Sequence, residues 1–235
     1  QWNWKRIHEK ESLTALALCS IGWGFYGFAF PPLPLGPGAF VFLVPWFIVL
    51  LKANLQMAIF ASFWSGFLYN VINYYWIYNV MNVGPALLIL IGLVLLISYF
   101  SVYNVIAAVL FVKAREIRIR KFPILLILFP LFYAGLEMTR SIGDFSFPWS
   151  HLGYALGNQL PLLQALSLIG VFGYTALIIA SNLSVAAAFT ARKKILFAVP
   201  FVFFGLLWAY GSCILSKPEA SPFYVADPKE APKIA

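Results

Sequence analysis

Residues 137–164, EMTRSIGDFSFPWSHLGYALGNQLPLLQ, interrupt a chain that is otherwise built from long apolar runs. The stretch opens with Glu137 and Arg140, two of the few charges embedded in apolar sequence, and continues into a loop, 144–161, that is dense in Gly, Pro, Trp and Tyr. We predict the end of one helix, a polar loop and the start of the next helix. Because binding residues are often carried on loops that a rigid scaffold holds, we expect the functional site here.

The composition of the whole chain indicates a membrane protein. Of its 235 residues, 62% are hydrophobic and only 10% are charged, whereas soluble domains carry roughly 25% charged residues. Several apolar runs reach the roughly 20 residues that a helix needs to cross the hydrocarbon core. A transmembrane β-barrel would show short alternating segments, but these runs are continuous. The fold class is therefore predicted as all-α, a polytopic membrane helix bundle.

We predict about seven transmembrane helices in a membrane domain that covers 1–215. The second is short and contains Pro45, so it is the one that could instead be re-entrant. Residues 1–12 are polar and basic and lack the cleavage site of a signal peptide, so the first span is expected to be retained. The missing initiator Met suggests a fragment or a processed chain. The spans are placed at about 13–30, 39–51, 55–78, 85–112, 123–140, 161–191 and 195–215.

The cations predict the orientation, since cytoplasmic loops of membrane proteins are enriched in Lys and Arg. With seven crossings and a cytoplasmic N-terminus, twelve of the sixteen cations fall on the inner side. If 39–51 did not cross the membrane, the basic cluster 113–121 would lie on the opposite side from the basic N-terminal segment. The cations therefore favour seven crossings. Loop 141–161 and the tail 216–235 are then on the outer side, and the net charge of +8 reflects topology and anionic lipid rather than nucleic acid. The inner cations are Lys5, Arg6, Lys10, Lys52, Lys113, Arg115, Arg118, Arg120, Lys121, Arg192, Lys193 and Lys194.

Two groups of polar residues within the spans have open interpretations. A stripe of small and amide residues in the third span shares one helix face and could serve helix packing or form a polar wall below the outer site. Glu137 and Arg140 are three residues apart and can pair. They could form a structural ion pair that fixes the loop, or Arg140 could bind a lipid phosphate through its planar fork of donors. The stripe consists of Ser62, Gly66, Asn70 and Asn73.

Several kinds of chemistry are not supported by the motifs. Ser150 and His151 are adjacent, and their spacing from Asp144 does not resemble a nucleophile elbow. Cys213 has no evident basic neighbour that would activate its thiol, and its distance from Cys19 suggests no disulfide framework. No Cys/His cluster has metal-ligand spacing, so we expect no metal and no cofactor.

An ordered set of motifs resembles the apolipoprotein N-acyltransferase family, bacterial inner-membrane enzymes of lipoprotein maturation. Around the loop these are Glu137-x-x-Arg140, Phe147-Pro148-Trp149 and Leu152-Gly153-Tyr154, followed by Pro161 and Gln164. Gly27-Phe28-Ala29-Phe30-Pro31-Pro32 resembles the turn after the family's first span, and Trp64-x-Gly66 with Asn73 and Trp76 resembles its third span. The resemblance covers nearly the whole chain in order.

The resemblance implies a two-step reaction in which an acyl chain moves from a phospholipid to an enzyme cysteine, giving a thioester, and then to the α-amino group of a diacylglyceryl-modified apolipoprotein. Dividing one acyl transfer into two steps is covalent catalysis. In the family the catalytic Glu, Lys and Cys belong to a nitrilase-like domain on the outer side. The resemblance also implies that the residues shaping a lipid-facing cleft here are Glu137, Arg140, Phe147, Pro148, Trp149, Gly153 and Tyr154, together with Asn73 and Trp76.

This sequence departs from the family pattern because no residue matches the catalytic Glu, Lys or Cys. We expect a chain that corresponds to the membrane half of the enzyme, with 216–235 as a linker toward the absent domain, and that is inactive alone. The alternatives are a complete membrane transporter, which would usually show internal repeats and ionisable residues near the bilayer midplane, and a membrane scaffold protein.

Overall fold

The computed structural model describes residues 10–116, 122–144 and 146–216. The predicted linker 216–235 beyond Ser216, most of the polar N-terminal segment and the cations Arg118, Arg120 and Lys121 lie outside the described residues. Within the described part, the chain forms helices joined by turns and contains no strand. The helices are α1 (Lys10–Phe28), α2 (Val44–Lys52), α3 (Leu55–Tyr74), α4 (Ala86–Glu116), α5 (Phe122–Thr139), α6 (Leu160–Leu163), α7 (Leu166–Ala191) and α8 (Ala198–Leu215).

The apolar runs form these helices because a helix satisfies its own backbone hydrogen bonds, which a lipid environment requires. Four helical segments of the described chain are long and apolar enough to cross a membrane, and two further apolar helices are shorter. The prediction of an all-α membrane helix bundle is confirmed, while the number of seven crossings stays a prediction. The long segments are Leu55–Asn79, Ala86–Arg115, Leu166–Ala191 and Lys194–Leu215, and the shorter ones are Gly36–Lys52 and Ile127–Thr139.

The predicted spans match the helices closely, and the differences have local causes. The short second span begins as a 3₁₀ turn, Gly36–Phe40, before α2, with Pro37 and Pro45 at the second positions of these two elements, in the first turn, where backbone N–H groups have no partner within the helix. The predicted span 161–191 is divided into α6 and α7. Gly170 interrupts α7 with φ 63° and ψ 178°, a conformation that glycine adopts without steric cost.

The irregular backbone before α2 is held by α7. The side chain of Asn182 accepts a hydrogen bond from the Leu43 N–H at 2.7 Å and donates to the carbonyl of Ala39 at 2.8 Å. Ser181 donates to the carbonyl of Phe40 at 2.8 Å. These bonds provide partners for one backbone N–H and two backbone carbonyls that precede α2. Buried backbone polar groups need such partners.

The other end of α2 is held by α4. Arg115 donates to the carbonyls of Leu50 and Ala53 at 2.8 and 2.9 Å. Gly36, before α2, lies instead against Ala155 of the loop that follows α5. Segment 36–52 therefore begins beside the loop, at one end of the bundle, and ends beside the last turn of α4, at the other end. This is the course expected of a segment that crosses the membrane.

The polar stripe on α3 serves packing at three of its four positions. Trp46 of α2 donates to Ser62 Oγ at 2.8 Å, and Asn70 donates to Ser101 Oγ of α4 at 3.5 Å. A side chain at Gly66 would collide with Asn104 of α4. Small and polar residues at membrane helix contacts allow this close approach, so the contacts favour the packing interpretation.

Candidate functional site

Glu137, near the end of α5, is the centre of the loop's polar contacts and is only 2% exposed. Its Oε1 accepts a hydrogen bond from the backbone N–H of Leu152 at 2.9 Å, and its Oε2 accepts one from Thr175 Oγ1 of α7 at 2.6 Å. An ionised carboxylate accepts hydrogen bonds only, so both donors favour the charged form. Glu137 thereby joins α5, the loop and α7.

Arg140 lies one residue beyond α5 and is 6% exposed. Its Nη1 is 3.9 Å from Glu137 Oε1, and its Nη2 donates to Ser150 Oγ at 2.8 Å and to the Tyr74 hydroxyl at 3.3 Å. The guanidinium also lies over the Phe100 ring, 4.5 Å from its centroid, a distance suited to a cation–π contact.

These contacts bear on the two hypotheses for Arg140. Nη2 donates to two hydroxyls and Nη1 faces the Glu137 carboxylate at 3.9 Å, beyond hydrogen-bond distance, while Nε has no hydrogen-bond partner in the described part of the chain. Breaking a buried pair by removing one partner leaves an uncompensated charge and is costly. The geometry favours the ion pair that fixes the loop, and a bond from Arg140 to a lipid phosphate stays an untested prediction.

His151 is fully buried between Glu137 and a residue that sequence reasoning did not select, Ser141. Its Nε2 lies 2.9 Å from Ser141 Oγ, and its Nδ1 lies 3.8 Å from Glu137 Oε2, too far for a hydrogen bond. Burial and the nearby charge of Arg140 lower the pKa of His151 to about 4, so the ring is neutral near pH 7.

The Ser–His–Asp arrangement that the sequence disfavoured is not formed by the residues named for it. Ser150 Oγ contacts Arg140 and Tyr74 rather than His151, and Asp144 is exposed. The described residues also contain no group of three or more His, Cys, Asp or Glu that could hold a metal ion.

Two glycines allow the loop to lie directly against other elements. A Cβ on Gly153 would come 2.6 Å from the Val171 carbonyl oxygen of α7, and one on Gly36 would come 2.5 Å from the Ala155 carbonyl oxygen. Real Cβ atoms do not approach so closely, so glycine is required for the close approach. Two tyrosines secure the same loop, because Tyr69 donates to the carbonyl of Ser150 and Tyr26 to that of Leu152, each at 2.9 Å.

The aromatic residues of the loop connect it to α3 and α4. The Phe147 ring lies 5.5 Å from Tyr74 and 5.9 Å from Phe100, between centroids. Trp149 is 58% exposed and lies 5.3 Å from Trp76. Tyr154, also partly exposed, lies beside His151 at 5.5 Å, and Pro148 begins a short 3₁₀ turn.

A groove of about 570 Å³ lies beside this aromatic pair. Its walls come from the end of α1 and the proline turn after it on one side, and from the end of α3 on the other. Asn73, Trp76 and Trp149 all line it, so three of the predicted site residues meet there. The volume is within the range of about 300–1,000 Å³ typical of small-molecule sites.

Six of the nine predicted site residues thus fall into two groups. Glu137, Arg140 and Gly153 are interior and hold the loop, whereas Asn73, Trp76 and Trp149 face the groove. Sequence reasoning missed Thr175 of α7, which donates to Glu137, and Ser141, which contacts His151 within the loop. It also did not select Tyr74, which is fully buried and contacts Ser150 and Arg140. The sequence signal for such partners is an ionisable residue within an apolar run, because a charge in a membrane domain needs polar groups close to it.

The fold and the site define a class: an α-helical membrane protein whose loop is fixed by a buried Glu–Arg pair beside an apolar groove. Residues 24–184 match the family described as Apolipoprotein N-acyltransferase N-terminal domain. The chain belongs to this family.

Curated relatives agree over most of the chain. The chain is 30% identical over 210 residues to an apolipoprotein N-acyltransferase of Geobacter metallireducens, covering 84% of this chain and 40% of the relative. It is 29% identical over 220 residues to one of Rhodopseudomonas palustris, covering 88% of this chain and 38% of the relative. One of Rickettsia prowazekii is 27% identical over 203 residues, covering 81% and 38%. The chain thus spans about two fifths of the length of these relatives.

Proposed function

We propose that this chain forms the membrane portion of an enzyme that transfers a phospholipid acyl chain to the N-terminal cysteine amine of diacylglyceryl-modified apolipoproteins. The observation that carries the proposal is the family match over 24–184, which includes both the fixed loop and the groove. The chemistry would proceed through a thioester on a cysteine of a nitrilase-like domain, and this chain itself would supply no catalytic residue.

The residues would have different roles in this proposal. Trp149, Trp76 and Asn73 would contact the acyl donor, since they line the groove. Glu137, Arg140 and Gly153 would be positioning residues, because they hold the loop that presents Trp149. Phe147, Pro148 and Tyr154 would shape the loop surface around it.

The enzyme would lie in the bacterial inner membrane with loop 141–161 on the periplasmic side. This placement is supported by two helix ends, those of α3 and α8, which lie at the same end of the bundle as the loop. Tyr74, at the end of α3, bonds to Ser150, and Gly211, near the end of α8, packs against Pro161. A site on that face would be accessible to lipoproteins that have already crossed the membrane.

The test is an acyl-transfer assay on the native gene product purified from membranes, with a phospholipid donor and a synthetic diacylglyceryl-cysteine peptide. Intact mass is measured first, since a mass well above 26.3 kDa would indicate that a further domain is present. We expect Trp149→Ala to raise the donor concentration needed for half-maximal rate, because it removes a large contact surface from the groove. A matched control is Trp208→Ala, which removes a partly exposed tryptophan from α8.

The two parts of the proposal can fail separately. Absence of acyl transfer by the native product would refute the enzymatic function and favour a transporter or a scaffold. Acyl transfer with the same donor dependence in Trp149→Ala and Arg140→Ala would refute the lipid-facing role of the loop while retaining the enzyme class.

A further inference from the structure

Ser150 is fully buried, although the residue before it, Trp149, is 58% exposed. Its backbone carbonyl accepts a hydrogen bond from the Tyr69 hydroxyl at 2.9 Å. Its Oγ accepts one from Arg140 Nη2 at 2.8 Å and lies 2.5 Å from the Tyr74 hydroxyl. Two tyrosines of α3 and the arginine that follows α5 therefore hold both the main chain and the side chain of this loop residue.

These bonds also restrict Trp149, because the two residues share one short 3₁₀ turn, Pro148–Ser150. The ring of Pro148 fixes the backbone angle φ at the start of the turn. The hydrogen bonds of Ser150 fix its end. More than half of the Trp149 side chain is exposed, so the direction of this side chain depends strongly on the backbone that carries it.

The tyrosine that holds the Ser150 carbonyl also contacts the walls of the groove. The Tyr69 ring lies 6.0 Å from the Phe30 ring, between centroids, and the Tyr69 carbonyl accepts a hydrogen bond from Asn73 at 2.9 Å. Phe30 and Asn73 both line the groove, whereas Ser150 does not. Tyr69 thus fixes the turn relative to the groove that Trp149 enters.

The bond from Arg140 connects the same turn to the buried ion pair. A hydrogen bond from a charged donor is roughly twice as strong as a neutral one. Arg140 in turn lies 3.9 Å from Glu137. The hydroxyl of Ser150 is therefore the group through which the ion pair acts on the exposed side of the loop.

We propose that Ser150 is a positioning residue that directs Trp149 into the groove, so that the contact between Trp149 and the acyl donor depends on it. The inference rests on the proposed function for the identity of the ligand. It goes further by naming a residue that touches no ligand and acts through its neighbour. The alternative is that Ser150 contributes to stability alone, in which case its loss would not act through Trp149.

The first test measures the donor dependence of acyl transfer by the native gene product. Ser150→Ala should raise KM for a phospholipid donor by about threefold to tenfold, the effect of losing one hydrogen bond, and should leave kcat unchanged. In a Trp149→Ala background the same substitution should raise KM no further, because residues that act as one unit are not additive. Additive increases in KM would overturn the inference.

A matched control for this test is Ser62→Ala. Ser62 is also a fully buried serine whose hydroxyl accepts a hydrogen bond, from Trp46 Nε1 at 2.8 Å. Its loss should lower the melting temperature without changing KM. An equal rise in KM in the Ser62 and Ser150 variants would assign the effect to stability alone.

The second test needs no acyl transfer. The eight tryptophans are replaced by 5-fluorotryptophan, and the ¹⁹F resonances of Trp149 and Trp76 are assigned from their Phe variants. Tyr69→Phe removes the hydroxyl bond to Ser150 and leaves the loop sequence intact, so it should shift both resonances. Tyr133→Phe removes another buried tyrosine hydroxyl and should leave them in place.

The two tests separate this inference from the proposed function. Shifted resonances in a product that transfers no acyl chain would refute only the enzymatic function. Unshifted resonances of Trp149 and Trp76 in Tyr69→Phe, in a product that does transfer acyl chains, would refute only the positioning role. If Ser150→Ala does not fold, Tyr69→Phe takes its place in the KM measurement, with Tyr133→Phe as the control.

Discussion

The carboxylate Oε1 of Glu137 lies 2.9 Å from the backbone nitrogen of Leu152, fifteen residues further along the chain. One buried side chain at the end of α5 therefore holds the middle of the loop that follows it. The same carboxylate contacts α7 through Thr175 and lies 3.9 Å from Arg140. The loop is thus fixed by an interior ionic group.

Replacing Glu137 by Ala should destabilise the protein by about 3–5 kcal/mol, because the substitution leaves Arg140 as an uncompensated buried charge. Glu137→Gln keeps an acceptor for the Leu152 N–H and should cost less. The control is Glu11→Ala, which removes a carboxylate from the first turn of α1 and should change stability by no more than about 0.5 kcal/mol. Thermal unfolding in detergent measures all three, and equal losses in the Glu137 and Glu11 variants would contradict the anchoring role.

His151 should make stability depend on pH below neutrality. Its pKa is lowered to about 4 in the folded protein by burial and by Arg140, from an ordinary value of 6.5. The folded state then binds fewer protons than the unfolded state between these values, so stability is full above pH 6.5 and falls as the pH is lowered toward 4. The loss is at most about 3 kcal/mol, since a difference of one in pKa corresponds to about 1.36 kcal/mol.

The polar and charged groups near His151 are Ser141, Glu137 and Arg140, and the rings of Tyr154 and Phe172 cover the imidazole. His151→Gln removes the titration, so its free energy of unfolding should change less over this pH range. Denaturation at several pH values between about 4 and 7 compares the two proteins. A parallel pH dependence in the variant would assign the effect to other groups.

Alanine at Gly36 or Gly153 should each cost about 1–3 kcal/mol, because the added Cβ would overlap a backbone carbonyl that cannot move freely. Gly92 of α4 is the matched control, since an added Cβ there would have no atom of the described chain within 4 Å beyond its own helix backbone. Gly92→Ala should stabilise its helix by up to about 1 kcal/mol. Melting temperatures compare the three variants, and losses of similar size at all three positions would refute the close-approach explanation.

The predicted orientation can be tested with cysteines at opposite ends of the bundle. Ser146→Cys lies in the loop and Lys193→Cys follows α7, both at exposed positions, in a background where exposed Cys213 is replaced by Ser. A membrane-impermeant maleimide added to intact spheroplasts should label the first variant, and should label the second only after the membrane is disrupted. The opposite pattern would invert the topology that the cations predict.

The helix boundaries could be predicted well because they depend on local sequence. Apolar runs, prolines and charges are contiguous along the chain, and all the predicted spans coincide with helical segments to within a few residues. The break between α6 and α7 in the predicted span 161–191 and the kink at Gly170 within α7 were not predicted. The short second span was ambiguous in sequence, and its course depends on contacts with Asn182 and Arg115.

The candidate site was predictable only in outline. The charges Glu137 and Arg140 stand out in apolar sequence and were correctly paired by spacing. Their other partners, Tyr74, Ser150 and Thr175, are common polar residues whose positions do not distinguish them. The adjacency of Ser150 and His151 in sequence is also misleading, since the histidine contacts Ser141 instead.

The amino-acid sequence alone determined that this is a helical membrane protein and where its loop lies, because hydrophobicity and helix breaking act on neighbouring residues. The tertiary structure decided which way the embedded charges face and where a ligand could enter. Those properties depend on contacts such as Arg140 with Tyr74, 66 residues apart, and on a groove formed by the ends of α1 and α3. Burying a charge is tolerated only when such distant partners converge on it, and local sequence cannot specify that convergence.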